Sequence, residues 1–161
     1  MIPKKIEINY MEYDSEKELE AQDQTLLKSA QNNLQNAYAP YSQFKVSALV
    51  KLAGNTHVLG TNQENAAYPS GLCAERVAVF SAKATHPEKE VEKIFIVTEQ
   101  GNELPFSPCG ACRQALIEYE MTQKKPIQVL LKSGKSKIWK FNSVRDLLPF
   151  AFEAEEILKK E

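Results

Sequence analysis

Cys73-Ala74-Glu75 and Pro108-Cys109-Gly110-Ala111-Cys112 are two short stretches that together hold all three cysteines of the chain. Three thiolates suit one zinc ion, which takes four protein ligands in structural sites but keeps a position open for water in catalytic sites. The chain has no fourth cysteine, and the carboxylate of Glu75, two residues from Cys73, is poorly placed to be a fourth ligand. The two stretches therefore predict a catalytic zinc site with Cys73, Cys109 and Cys112 as ligands and one ion per subunit.

Outside these stretches the hydrophobic pattern changes repeatedly between helical and strand-like spacing. Period-two alternation predicts a strand over 44–52, and the Gly54-Asn55 turn predicts that 57–60 pairs back on it as a hairpin. Further strands are predicted at 94–97, 127–131 and 138–141, and helices near Ser15, Cys73, Cys109 and Ser143. The order α, ββ, α, β, α, β, β, α favours an α/β layered domain, with a mixed sheet because the front hairpin must be antiparallel.

Two of these helices carry more detailed expectations. Ser15 followed by Glu18 is typical of a capping box and predicts the start of the first helix. In the helix after the first cysteine, Val77, Phe80 and Ala84 recur at helical spacing and are predicted to form its buried side.

The composition is that of an ordinary globular protein, with 43% hydrophobic and 25% charged residues and a formal net charge of -1. We expect neither nucleic acid nor a membrane as a partner, because there is no basic field and no apolar run near the roughly 20 residues that span a bilayer. An odd cysteine count and the lack of a secretion signal predict reduced thiols and a cytoplasmic location. Residues 1–13 are expected to be a mobile or strand-like tail and 14–161 a single domain, ending in a solvated amphipathic helix over 153–161.

Glu75 and Arg76 are the residues best suited to help such a metal site. A carboxylate beside activated water can take a proton and deliver it to a substrate nitrogen and then to a leaving amine, so Glu75 is the candidate proton shuttle. The alternative is a simple favourable interaction of Glu75 with the helix dipole. Zinc with three thiolates has a formal charge of -1, which Arg76 could offset by hydrogen bonding to the sulfurs, unless it is an ordinary surface arginine.

Over about residues 26–152 the chain resembles the cytidine deaminase family, specifically its small, three-cysteine, homotetrameric branch. The shared motifs are APYSQF at 39–44, NQENAAYP at 62–69, CAER at 73–76, SPCGACRQ at 107–114 and LLP at 147–149. The resemblance implies a three-layer α/β/α sandwich with a five-stranded mixed sheet. It also implies a zinc-dependent homotetramer of pyrimidine salvage that hydrolyses cytidine and 2′-deoxycytidine to uridine and 2′-deoxyuridine, with release of ammonia.

The resemblance also implies roles for residues that bind the nucleoside. Asn62 and Glu64 would hold the ribose 3′-hydroxyl, and Phe44 would pack on the pyrimidine ring. The backbone N–H of Ala74 would meet the 2-oxo group of the base, and the carbonyl of Ser107 its 4-amino group.

Three further positions resemble those that lie between subunits. Tyr68 and Arg76 would lie near subunit contacts, and Phe152 would reach the site of a neighbouring subunit.

Other functions remain open on the sequence alone. A polynucleotide-editing deaminase of the same fold would need basic and aromatic channel residues, which this near-neutral chain does not clearly show. Two further alternatives are an aminonucleoside-antibiotic deaminase of the same fold and a non-catalytic zinc-binding assembly protein. Four lysines of the last predicted hairpin are more typical of a solvated strand edge than of a nucleic-acid groove: Lys132, Lys135, Lys137 and Lys140.

Overall fold

A six-stranded mixed sheet forms the centre of the computed structural model, which describes residues 1–153. The strands are β1 (Tyr10–Tyr13), β2 (Val46–Leu52), β3 (His57–Thr61), β4 (Val91–Thr98), β5 (Gln128–Ser133) and β6 (Ile138–Phe141). Their order is β1-β6-β5-β4-β2-β3, with β4 and β5 parallel and every other neighbouring pair antiparallel. The predicted α/β class and mixed sheet are confirmed, as is the front hairpin.

The expected count of five strands was wrong, because the sixth strand, β1, forms inside the segment expected to be a tail. Tyr10 lies opposite Phe141 in the register, and its ring centroid is 5.0 Å from that of Trp139. The Glu12 carboxylate accepts hydrogen bonds from Trp139 Nε1 at 2.9 Å and from Lys137 Nζ at 2.6 Å. The strand-like alternative expected for residues 1–13 therefore holds for Tyr10–Tyr13, although three of these four residues are exposed.

Helices cover both faces of the sheet. They are α1 (Ala21–Asn32), α2 (Ala74–Thr85) and α3 (Gly110–Gln123). Apolar residues of α2 and α3 share one buried cluster with one set of strand residues, and those of α1 share a second cluster with the alternate set, which includes Leu49, Phe95 and Leu130. Successive strand residues point to opposite faces, so the sheet is buried on both sides between helical layers.

The start of the first helix was placed too early. Ser15 precedes a single 3-10 turn, Glu16–Glu18, which has no side-chain cap, and α1 begins only at Ala21. In contrast, the short helix predicted near Ser143 forms as the 3-10 helix Val144–Leu147, and it begins with a capping box between Ser143 and Asp146.

The predicted buried side of α2 was also wrong. Phe80 is 41% exposed, whereas Ala74, Ala78 and Ala82 are fully buried. The reason is the close approach of β3, since a Cβ atom on Gly60 would lie 2.5 Å from the backbone nitrogen of Ala78. Only small side chains fit on the side of α2 that faces this strand.

The lysines of the last hairpin pair mostly within the protein. Lys140 is buried and its Nζ lies 3.6 Å from the fully buried carboxylate of Asp23, which also binds Lys93 at 2.8 Å. Lys137 binds Glu12 of β1. The interpretation as a solvated edge was therefore wrong for these two lysines, because β1 covers β6.

No helix among residues 1–153 is long and apolar enough to cross a membrane. Of the C-terminal helix expected over 153–161, all but Glu153 lies outside the described residues.

Candidate active site

The three cysteines meet where two helices begin. Cys73 is the N-cap of α2, Cys109 is the N-cap of α3, and Cys112 lies buried in the first turn of α3. The Sγ atom of Cys109 is 3.9 Å from that of Cys73 and 3.5 Å from that of Cys112, and all three sulfurs lie within 4.8 Å of one another. All three are free thiols. Three converging soft ligands fit a zinc ion, and the helix N-termini stabilise their negative charge.

The thiols are already electrostatically distinct. A hydrogen bond from Cys112 and the neighbouring guanidinium of Arg76 lower the pKa of the Cys73 thiol to about 5. The hydrogen bond to Cys73, together with burial, raises the pKa of the Cys112 thiol above its ordinary value. Arg76 Nη2 lies 3.9 Å from Cys73 Sγ, which is the contact expected of a residue that offsets thiolate charge. Within residues 1–153 the Nε atom of Arg76 is buried without a hydrogen-bond partner.

Glu75 lies in the first turn of α2 and is only 4% exposed. Burial raises the pKa of its carboxyl group above the ordinary value, and the charge of Cys73 raises this pKa further. A carboxyl group that holds its proton more strongly than usual, beside a set of metal-binding sulfurs, can act as both acid and base near neutral pH.

Asn62 and Glu64 lie together, but both are already engaged with the chain around β2. The Asn62 side chain accepts a hydrogen bond from Val46 N at 2.9 Å and donates one to Phe44 O at 2.8 Å. Glu64 Oε2 accepts from the backbone N–H groups of Tyr41 at 2.9 Å and Ser42 at 3.2 Å. Asn62 therefore fixes the start of β2, and Glu64 fixes the preceding turn.

An open cavity of about 510 Å³ extends from these two residues to Cys73, the one cysteine that lines it. Its lining includes Asn62, Glu64, Tyr68, Cys73 and Arg76. Four other predicted residues border the cysteines or the neighbouring loop without lining this cavity: Phe44, Ala74, Glu75 and Ser107.

Phe44 and Ser107 are brought near each other by an aromatic contact. The ring of Phe44 packs edge-on against Phe106, with centroids 5.1 Å apart, and Phe106 immediately precedes Ser107. The sequence-predicted base-binding residues thus lie on two loops that touch.

Arg113 holds the Ser107 loop and was missed in the sequence. Its guanidinium donates to Ser107 Oγ at 2.9 Å, to Pro108 O at 2.7 Å and to Leu147 O at 2.8 Å. The signals in the sequence were its place in the shared SPCGACRQ motif and its position four residues after Cys109, on the same side of α3.

The exposed predicted residues Tyr68 and Phe152 lie apart from the buried core. Tyr68 is 90% exposed and Phe152 is 70% exposed. The side-chain amide of Gln114 holds the main chain of Phe152 in place, donating to its carbonyl at 2.9 Å and accepting from its N–H at 3.2 Å.

Comparison with known proteins agrees with this geometry. A family model described as the cytidine and deoxycytidylate deaminase zinc-binding region matches residues 20–126. A cytidine deaminase of Halalkalibacterium halodurans is 36% identical over 134 residues, which are 83% of this chain and 96% of the relative.

Solved structures show the same similarity. The cytidine deaminase of Burkholderia pseudomallei superposes with a TM-score of 0.70 at 38% identity, covering 80% of this chain and 97% of that one. The enzyme of Mycobacterium leprae gives a TM-score of 0.60 at 31% identity, covering 78% and 95%. The chain is therefore a zinc-binding deaminase of the α/β class. It belongs to the cytidine and deoxycytidylate deaminase family.

Proposed function

We propose that this chain is a zinc-dependent cytidine deaminase, which hydrolyses cytidine and 2′-deoxycytidine to uridine and 2′-deoxyuridine and releases ammonia. The observation that carries the proposal is the convergence of three cysteine sulfurs and the buried carboxyl group of Glu75 beside a cavity lined by Asn62 and Glu64. The full-length similarity to proteins named cytidine deaminase supports it.

The metal-binding residues of this proposal are Cys73, Cys109 and Cys112. When bound, zinc supplies the Lewis acidity that activates a water molecule for attack on the base. Arg76 stabilises the thiolate charge from its position beside Cys73. Glu75 carries the protons: its carboxylate takes one from the attacking water and gives it to the ring nitrogen, then takes a second from the hydroxyl group added to the base and gives it to the departing amine, which leaves as ammonia.

The sugar is held by residues that line the cavity, and the base by residues beside the cysteines and on the neighbouring loop. Asn62 still has a free N–H, and the Glu64 carboxylate has free lone pairs, so together they can donate to and accept from the ribose 3′-hydroxyl. At the base, the aromatic face of Phe44, the backbone N–H of Ala74 and the carbonyl of Ser107 contact the ring, the 2-oxo group and the 4-amino group.

The charges around the cavity favour a nucleoside over a nucleotide. Its charged lining residues are Glu64 and Arg76, and Arg76 is committed to Cys73. A 5′-phosphate or a polynucleotide backbone would add negative charge to a cavity where the lining formed by residues 1–153 offers no uncommitted cation.

The proposed assembly is a homotetramer in which subunits complete one another's sites. Strongly exposed aromatic side chains support it, since such groups are typical of interfaces: Tyr68, Phe80, Phe150 and Phe152. Reduced cysteines gathered for metal binding support a cytoplasmic enzyme of pyrimidine salvage.

The test is the loss of ultraviolet absorbance of cytidine on adding the purified, zinc-loaded protein. Deoxycytidine, CMP, free cytosine, adenosine and a cytosine-containing oligonucleotide are run in parallel. Turnover of cytidine and deoxycytidine alone is the expected result. Turnover of CMP or the oligonucleotide with cytidine left intact would overturn the substrate assignment, and no turnover at all would favour the non-catalytic alternative.

A further inference from the structure

Ser42 lines the cavity and hydrogen-bonds to both Glu64 and the backbone of Phe44. Its hydroxyl group donates a hydrogen bond to Oε1 of Glu64 and accepts one from the backbone N–H of Phe44 at 3.0 Å. Its own N–H donates to Oε2 of Glu64 at 3.2 Å. One serine thus contacts both oxygens of the carboxylate and the backbone of the aromatic residue.

The turn that carries Ser42 has an unusual backbone. Gln43, between Ser42 and Phe44, has a φ of 55°, in the left-handed region that non-glycine residues rarely adopt. Hydrogen bonds from Gln43 N to Ala39 O at 3.0 Å and from Gln100 Nε2 to Gln43 O at 3.2 Å hold it there. A conformation of this kind persists only where the surroundings fix it, and it clusters at binding sites.

We propose that Ser42 is a positioning residue that couples the orientation of Glu64 to that of Phe44, and so sets the preference for a substrate with a 3′-hydroxyl group. This inference rests on the proposed function. The hydroxyl group and the two N–H groups of 41–42 leave the carboxylate few orientations, so its remaining lone pairs point in fixed directions into the cavity.

The charge state of Glu64 is consistent with this role. The hydrogen bond from Ser42 is the largest cause that lowers the pKa of the Glu64 carboxyl group, with smaller contributions from the Tyr41 and Ser42 backbone. An ionised, oriented carboxylate is a stronger acceptor for a sugar hydroxyl than a mobile or protonated one.

The experiment compares Ser42→Ala with the wild-type enzyme on cytidine and on 3′-deoxycytidine. We expect KM for cytidine to rise by about tenfold or more, as for loss of a hydrogen bond to a charged group, with kcat nearly unchanged. On 3′-deoxycytidine, which lacks the hydroxyl group, the two proteins should have similar KM values. Ser42→Thr keeps a hydroxyl group and should restore most of the loss. Ser29→Ala, on α1, is the matched control and should behave as the wild type.

A purely structural role for Ser42 gives a different result. It would raise KM equally for both substrates, or lower zinc content, and either outcome would overturn the proposal. Glu64→Gln and the Ser42→Ala/Glu64→Gln double variant complete a double-mutant cycle. Their effects on KM for cytidine should not be additive, because the two residues act as one unit. If Glu64→Gln does not distinguish the two substrates, the ribose assignment itself fails. If Glu64→Gln distinguishes the two substrates but Ser42→Ala does not, the ribose assignment stands and the role proposed for Ser42 is wrong.

Discussion

Glu75 combines burial with nearness to the cysteines, and both follow from its place in one turn of helix. Cys73 caps α2 in an extended conformation, so the chain enters the helix at Ala74 and the next side chain is Glu75, which is directed inward. A glutamate on the surface would be ionised near neutral pH and would have no proton to donate as an acid.

Glu75→Gln tests that role. The amide is nearly the same size but cannot carry a proton, so zinc content should stay at one ion per subunit while turnover of cytidine falls by a factor of about 10² to 10⁴. Zinc is measured by atomic absorption and turnover by ultraviolet absorbance. Glu118→Gln, at an exposed position of α3, is the control. Turnover near that of the wild type would remove the proton-shuttle assignment.

Among single residues, the sequence predicted the metal-binding cysteines better than the residues that hold the site in place. Cysteine spacing is dictated by metal geometry and is therefore visible in the sequence, and the three sulfurs converge as expected. Ser42 acts through a hydrogen bond to the Glu64 side chain, 22 residues away, and Arg113 through one to the backbone carbonyl of Leu147, 34 residues away. No local pattern encodes such partners, so only the fold reveals them.

The close packing of β3 on α2 is the contact between elements that positions Cys73 and Glu75. A Cβ atom on Gly60 would lie 2.5 Å from Ala78 N and 2.8 Å from Ala74 O, and both are backbone atoms that cannot rotate away. The first turn of α2 is thus seated directly on the strand.

We expect Gly60→Ala to push α2 away from the sheet. Overpacking of this kind typically costs about 1–3 kcal/mol in the free energy of unfolding, and zinc affinity should fall because Cys73 moves relative to α3. Urea denaturation and zinc titration measure the two effects. Gly110→Ala, where no atom lies within 4 Å of the added methyl group, is the stability control and should cost nothing. Equal stability of Gly60→Ala and the wild type would show that α2 can shift freely.

β1 makes a second prediction because its attachment depends on one carboxylate. Hydrogen bonds from Lys137 and then Trp139 lower the pKa of Glu12 below its ordinary value of 4.5. A lowered pKa in the folded state means that the ionised form stabilises the fold above pH 4.5, and that this contribution disappears as the pH falls through the lowered value.

Glu12→Gln should therefore be less stable than the wild type at pH 7, with the difference shrinking below pH 4.5. Trp139, the one tryptophan of the chain, contacts Glu12 directly and reports the change by fluorescence. Glu7→Gln, in the exposed segment before β1, is the control. A stability difference that stays constant from pH 7 to pH 3 would contradict the role of the ionised carboxylate.

The elements themselves were predicted where burial is strong. β2 and β4 carry continuous or alternating apolar residues, and their positions were correct to within a few residues. β1 and the buried side of α2 were not, because each depends on a partner: β6 for the strand, and the backbone of β3 for the alanines. The family model begins at residue 20, so β1 lies outside the matched region as well.

At the scale of the whole molecule, the site opens toward solvent on a surface that carries large exposed aromatic groups. Tyr68 lines the cavity and is 90% exposed. Phe152 is 70% exposed, and its main chain is held by the side chain of Gln114 on α3. Exposed side chains on a fixed backbone are ready to contact a partner with little loss of entropy. The proposed homotetramer accounts for both residues.

Assembly then predicts that activity depends on protein concentration. In the proposed homotetramer, dilution separates subunits and removes Phe152 from the neighbouring site, so the specific activity should fall together with the mass measured by light scattering.

Phe152→Ala should lower activity without changing the free energy of unfolding of the isolated chain, because the ring is 70% exposed. Ile8→Ala, at a position 47% exposed in the segment before β1, is the control for loss of an exposed apolar side chain. A mass near four subunits is expected at high concentration, whereas a monomer with full specific activity would contradict the shared site.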